Sequence, residues 1–167
     1  MPQYARPCND VTVGSWTTTP LWQKLDETVR DDGDYISSPT NPTTPTNNCE
    51  IKLSTVSTPS NRLNHILKYT YRKSASAGRT INVTVKLLQG STLIKSWTHT
   101  NISEVWTQET QTLTEEEANQ ITNYGDLRVR YEPSYSGTGS SRSCQWSWCV
   151  FEVPKASTGM GLTVIPL

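Results

Sequence analysis

Few side chains in this 167-residue sequence have the types and spacing that chemistry requires. Asp31, Asp32 and Asp34 surround Gly33 in DDGD, and carboxylate oxygens around a tight turn are ligands that calcium takes. The sequence that follows lacks the remaining spacing of a calcium loop, so these three are weak metal candidates and a solvated turn is the expectation. His65 and His99 are the only histidines, and neither has a Cys, Ser or carboxylate at a spacing suited to a nucleophile and its base. The triplet Glu115, Glu116 and Glu117 follows Thr114, which makes it the start of a helix with a capping box rather than a pair of catalytic carboxylates. Catalytic residues, a resident metal and a cofactor are therefore not expected.

Recognition by aromatic side chains is the chemistry that remains. In the closing strand, Cys144 to Val153, Trp146 and Trp148 share one parity while Cys149, Phe151 and Val153 share the other. Both sets cannot face one core, because alternate residues of a strand point to opposite sides. One set must be covered by a loop or the N-terminal arm, by another subunit, or by a sugar ring stacked on the indoles. Tyr131, Tyr135, Trp97 and Trp106 extend such a surface, although core positions account for Trp97 and Trp106 equally well.

The four cysteines, Cys8, Cys49, Cys144 and Cys149, fit no zinc spacing, and reduced thiols are the default for a chain made in a reducing compartment. Cys144 and Cys149 are five residues apart on one strand, and at about 3.3 Å per residue they lie beyond disulfide reach. A longer-range pair such as Cys8 with Cys144 remains open.

The elements that position these groups are strands. From Arg79 to Thr100, Ile81, Val83, Val85 and Leu87 alternate with Asn82, Thr84 and Lys86, which is the period of a half-buried strand. Gln89-Gly90-Ser91 turns the chain into a return strand from Thr92. Further strands are expected over Asp10 to Trp16, Tyr35-Ile36, Cys49 to Ser54, Leu63 to Lys73, Val105 to Leu113, Asp126 to Glu132 and Cys144 to Val153. Leu21 to Glu27 reads as a helical turn or irregular crossing. Pro39, Pro42 and Pro45 make residues 37–48 a surface loop, and Gly and Ser do the same for residues 134–143. The pattern predicts an all-β protein: a two-sheet antiparallel jelly-roll-like sandwich of about eight strands, with one short helix near residues 115–122. Residues 1–9 form an N-terminal arm, 10–154 the sandwich and 155–167 a C-terminal tail with an apolar end.

Charge and hydropathy narrow the partners. The formal net charge is zero with cations scattered, which gives no footprint for nucleic acid or an anionic membrane. No apolar run approaches the roughly 20 residues of a membrane span, and MPQYARPCND lacks the apolar core of a secretory signal. The glycosylation acceptors at Asn82 and Asn101 are weak signals in a chain expected to be made in the cytoplasm.

The segments ARPCNDVTVGSWTTTPLWQKLDE, DDGDYISSP, LTEEEANQITNYGDLRVRYE and SWCVFEVP together resemble a β-sandwich family of tailed-phage and prophage virion structural proteins, over most of residues 6–154. The resemblance implies a non-enzymatic capsid decoration (cement) protein, or an accessory head or tail component, located in the virion after synthesis in the host bacterial cytoplasm. Its implied partners are the major capsid protein or other virion proteins, with self-association and a host glycan also open. The cysteines, Trp146, Trp148 and the two long loops depart from the family pattern. The surface expected to make these contacts comprises Trp146, Trp148 and Tyr135 with Leu162, Val164, Ile165 and Leu167 of the tail. A carbohydrate-binding module or adhesin-like protein of the tail or head fibre is the alternative on the same scaffold.

Overall fold

The structure is a computed structural model in which residues 1–17 and 19–157 are described. Ten strands form two antiparallel sheets: β1 (Gln3–Ala5), β2 (Pro7–Thr12), β3 (Ile36–Ser37), β4 (Cys49–Leu53), β5 (Ile66–Lys73), β6 (Thr80–Gln89), β7 (Thr92–His99), β8 (Thr107–Thr112), β9 (Leu127–Ser136) and β10 (Cys144–Val153). The first sheet has the order β1-β10-β5-β8, with β3 also paired to β10, and the second runs β2-β4-β9-β6-β7. The expected all-β sandwich is present, with one short helix, α1 (Glu115–Asn119). Thr114 accepts from the Glu117 amide and Glu117 reaches back to the Thr114 amide, which is the capping box expected there.

The strand count exceeds the expected eight in part because the expected arm, residues 1–9, holds β1 and the first half of β2. Gln3, Tyr4 and Ala5 pair with Val153, Glu152 and Phe151 in the first sheet, and the chain then crosses so that β2 pairs with β4 in the second. Arg6 makes the crossing, with its amide bound to Ser54 Oγ at 3.0 Å and its guanidinium to the Glu27 carbonyl at 2.7 Å. Other boundaries also differ from expectation: β2 stops at Thr12, short of the expected Trp16, and β8 covers Thr107–Thr112 of the expected Val105 to Leu113. β9 extends to Ser136, into the expected loop, because Pro133 to Ser136 continue the pairing with β6. β5 begins only at Ile66, so Leu63 is exposed rather than part of the inward row Leu67, Tyr69 and Tyr71. The tail residues Leu162, Val164, Ile165 and Leu167 lie outside the described residues.

The core forms where the alternating apolar rows of the two sheets meet. Ile51, Leu53, Val83, Val85, Leu87, Val129 and Tyr131 of the second sheet face Leu67, Tyr69, Trp146, Cys149, Phe151 and Val153 of the first. On the outside of the second sheet, Glu50 is bracketed by Arg128 at 3.1 Å and Arg130 at 2.7 Å, and Lys86 meets Glu132 at 2.8 Å. That ladder gives the sheet a polar outer surface and pins its register through cross-strand charge pairs. At the β6-β7 turn Gly90 has φ +58, a left-handed conformation that side chains disfavour, and its amide bonds the Asp126 carbonyl at 2.8 Å.

All four cysteines are free, which closes the Cys8–Cys144 option: Cys8 is exposed on β2 while Cys49, Cys144 and Cys149 are buried in the core. Burial pushes the three core thiols up, Cys149 to about 12. At pH 8 a thiol reagent is expected to titrate Cys8 alone in the native protein and all four cysteines in denaturant; rapid native labelling of a second thiol would contradict this packing. Phe151→Ala is expected to lower stability by about 3–5 kcal/mol in urea unfolding, the cost of emptying a fully enclosed aromatic site, whereas a loss below about 1 kcal/mol would show that the core collapses around it.

Candidate functional site

The surface expected from Trp146 and Trp148 does not exist, and the cause is a bulge in β10. Trp146 pairs with Tyr71 and Trp148 with Thr70, so Ser147 is an extra residue on the strand. A bulge of one residue reverses the parity beyond it. Trp146 therefore faces the core with Cys149, Phe151 and Val153, is 0% exposed, and stacks on Tyr131 at a centroid distance of 4.0 Å. Tyr131, also a candidate for that surface, is thereby a core residue, and Trp97 packs half-buried against the same core.

Trp148 points outward but is only 8% exposed, because the loop over residues 25–32 covers it. Its indole N–H donates to the Glu27 carbonyl at 2.8 Å, and the neighbouring Cys149 amide donates to the Leu25 carbonyl at 3.1 Å. The same loop absorbs the three aspartates. Asp31 accepts from the Gly33 amide at 2.8 Å and Asp34 pairs with Lys24 at 2.8 Å. Asp32 pairs with Arg30 and accepts from Ser147 Oγ at 2.7 Å, and the Arg30 guanidinium holds its carboxyl below the usual carboxylate range. Among the described residues no three ligating side chains converge on a common point; Asp32 ties the loop to β10, while Asp31 closes its own turn and Asp34 holds Lys24.

The exposed aromatic cluster lies beside that loop, on the outer face of the first sheet. Arg72 of β5 and Gln145 of β10 are direct cross-strand partners, and Arg72 Nε donates to Gln145 Oε1 at 2.7 Å. The guanidinium carbon sits 4.4 Å from the ring centroid of Trp106, which precedes β8, and 5.6 Å from that of Tyr35, which precedes β3. The two rings are 5.7 Å apart and tilted by 60°. Strand parity explains the arrangement. Ile36 is buried, so Tyr35 before it turns outward, and Arg72 lies between the inward residues Tyr71 and Lys73. Tyr35 is 37% exposed, which leaves its ring available beside a guanidinium and a carboxamide. Cation–π contact with two rings holds the guanidinium in place. Trp106 alone of this group was singled out by sequence; Tyr35, Arg72 and Gln145 meet only through long-range pairing.

Tyr135 is 36% exposed, as its candidate role requires, and its ring carries the Arg79 guanidinium at 4.7 Å. A separate groove of about 360 Å³ opens at the far end of β10, where Met1, Asn61, Asn64, Glu152 and Lys155 line it without any aromatic side chain.

Both histidines serve hydrogen-bonded networks inside the sandwich. His65 Nδ1 lies 3.2 Å from the Arg62 carbonyl, which can only accept, so Nδ1 carries the proton and Nε2 accepts from Tyr124 Oη at 2.7 Å. His99 Nε2 lies 2.8 Å from Tyr69 Oη, and its Nδ1 is 3.7 Å from Glu109, which also accepts from Tyr71 Oη at 3.0 Å. Burial depresses both imidazoles below their ordinary value of 6.5, against a smaller upward pull from Glu109 on His99. Since the unfolded chain binds these protons more readily, the stabilisation is complete above about pH 6.5 and is lost as pH falls through the lower folded values. The urea midpoint is expected to fall between about pH 7.5 and 5.5, less steeply in His65→Asn and His99→Asn variants. A midpoint flat across that window would contradict two buried neutral imidazoles.

No protein-family model matches this chain, and no curated protein matches it. Among solved structures it is similar to SGBP-B from a complex xyloglucan utilization locus in Bacteroides uniformis, with 13% identity and a TM-score of 0.46, over 92% of this chain and 46% of that one. The chain thus spans less than half the length of that protein. It is also similar to TmCBM61, solved in complex with β-1,4-galactotriose, with 8% identity and a TM-score of 0.36, over 86% of this chain and 91% of that one.

Proposed function

We propose that this protein is a non-catalytic glycan-binding β-sandwich whose binding face is the outer surface of the first sheet around Tyr35, Arg72, Trp106 and Gln145. The observation that carries the reading is the Tyr35 ring, held exposed beside an aromatic-clamped guanidinium and a carboxamide. A pyranose has an apolar C–H face and a rim of hydroxyls, so it calls for an exposed aromatic plane with donors and acceptors at its edge. Arg72 supplies in-plane Nη donors, while Gln145, buried and accepting from Arg72 Nε, fixes the guanidinium from behind. Their positions are set by strand pairing and stacking rather than by a mobile loop, so little side-chain entropy is lost on binding. The neighbouring residues Gln108 and Thr110 of β8 are also exposed and extend the polar rim along the sheet.

Neither histidine faces this cluster: His65 is engaged by Tyr124, and His99 by Tyr69. The role proposed is capture of a saccharide without bond cleavage.

Affinity electrophoresis and calorimetry against a panel of plant, bacterial and host glycans test the proposal. The wild-type chain is expected to bind at least one polysaccharide saturably, and Tyr35→Ala to weaken that binding at least about tenfold with little change in the urea midpoint. Absence of binding across the panel would overturn the reading. Unchanged affinity in Tyr35→Ala would remove the site from this face.

A further inference from the structure

We infer that the ligand of this face is an acidic glycan whose uronic-acid carboxylate is held by Arg72. The inference rests on the glycan-binding reading and adds the chemical class of the sugar. Arg72 makes one side-chain hydrogen bond among the described residues, from Nε to Gln145, and no ion pair there. The carboxylate that feels its charge, Asp32, is paired with Arg30 and bound by Ser147. Trp106 at 4.4 Å and Tyr35 at 5.6 Å flank the guanidinium carbon on adjacent sides, their rings being 5.7 Å apart, and neither contact consumes its Nη donors.

A planar fork held by aromatic contact and by one bond from Nε, with its Nη donors free of side-chain acceptors among the described residues, matches a carboxylate bidentately. In a hexuronate the carboxylate projects from the rim of the ring, so one sugar can lie on Tyr35 and present its carboxylate to the neighbouring guanidinium. A neutral hexose would offer a single hydroxyl at that point. Neighbouring strand cations are matched within the protein: Lys68 meets Glu152 at 3.0 Å on this same face, and on the opposite sheet Arg128 and Arg130 bracket Glu50 and Lys86 meets Glu132, whereas Arg72 has no ion pair among the described residues.

Polygalacturonate, its fully methyl-esterified form, a neutral β-1,4-galactan and dextran sulfate, each tested by affinity electrophoresis and calorimetry with the full chain, separate the cases. Saturable binding to polygalacturonate is expected, weakened at least about tenfold by esterification. Arg72→Lys should cost a similar factor because it keeps the charge and loses the fork, while Lys86→Gln on the opposite sheet should have no effect. Equal or tighter binding of the neutral galactan or of the methyl ester would overturn the acidic assignment and leave the glycan-binding reading standing. Dextran sulfate binding as tightly as polygalacturonate, or an unchanged affinity in Arg72→Lys, would reduce the interaction to net charge and overturn the inference. No binding to any of the four polysaccharides would overturn it as well, and the wider glycan panel would then decide whether the glycan-binding reading falls with it.

Discussion

The extra residue at Ser147 sets the parity on which both faces of the first sheet depend. Without it, Cys144 and Trp146 would fall on the side opposite Cys149, Phe151 and Val153, and one half of β10 would turn its apolar residues to solvent. The bulge lets one strand deliver five inward residues, Trp146 among them, to a single core. On the edge opposite β5, four consecutive residues, Ser147, Trp148, Cys149 and Val150, are reached by neither β3 nor β1. The loop carrying Leu25, Glu27 and Asp32 fills that gap through the Cys149 amide, the Trp148 indole and the Ser147 hydroxyl. Edge protection and core packing thus meet at one local irregularity.

The loop is held at its far end by Asp10 of β2, whose carboxylate accepts from the Leu21 and Trp22 amides at 2.9 Å each. These bonds satisfy the free amides that begin the short helical turn at Trp22–Lys24, and they place Leu21 and Leu25 in the core. A residue of the second sheet therefore positions the cover of the first. The same path leads through Asp34 and Lys24 to Tyr35 and the start of β3. The exposed aromatic cluster is consequently built on the segment that seals the bulge, which explains why it sits at the β3 end of β10 and not at the groove near Glu152.

Local patterns carried the elements, and non-local pairing carried the site. The β6-β7 hairpin, the Thr114 capping box and the span of β10 were legible because period and turn chemistry are written in adjacent residues. The N-terminal strands were not, since Gln3–Ala5 is short and gains its status only by pairing with the last strand. The parity conflict around Trp146 and Trp148 was visible, but its resolution was not: period-two reasoning has no place for a bulge. A covering loop, one of the occupants expected, is what shields Trp148, whereas Trp146 needed none. Arg72 and Gln145 are 73 residues apart in sequence and become neighbours only through register, so nothing in either local sequence marks them.

The two edges of the sandwich differ in a way that bears on where a ligand can be held. β7 and β8 end their sheets on the same side, and their inward residues Trp97, His99, Glu109 and Gln111 are only half-buried. Here the core grades into a polar network, in which Tyr69, Tyr71, His99 and Glu109 satisfy one another. Groups that spend their donors and acceptors internally offer little to a ligand, since binding would break bonds already made. The outer face around Arg72 is the reverse case: its guanidinium is ordered by aromatic contact and one bond from Nε to Gln145, which leaves the Nη donors unspent on side chains of the described residues. Ordering without saturation favours recognition of a ligand, and aromatic contact with the Arg72 cation contributes that ordering on this face.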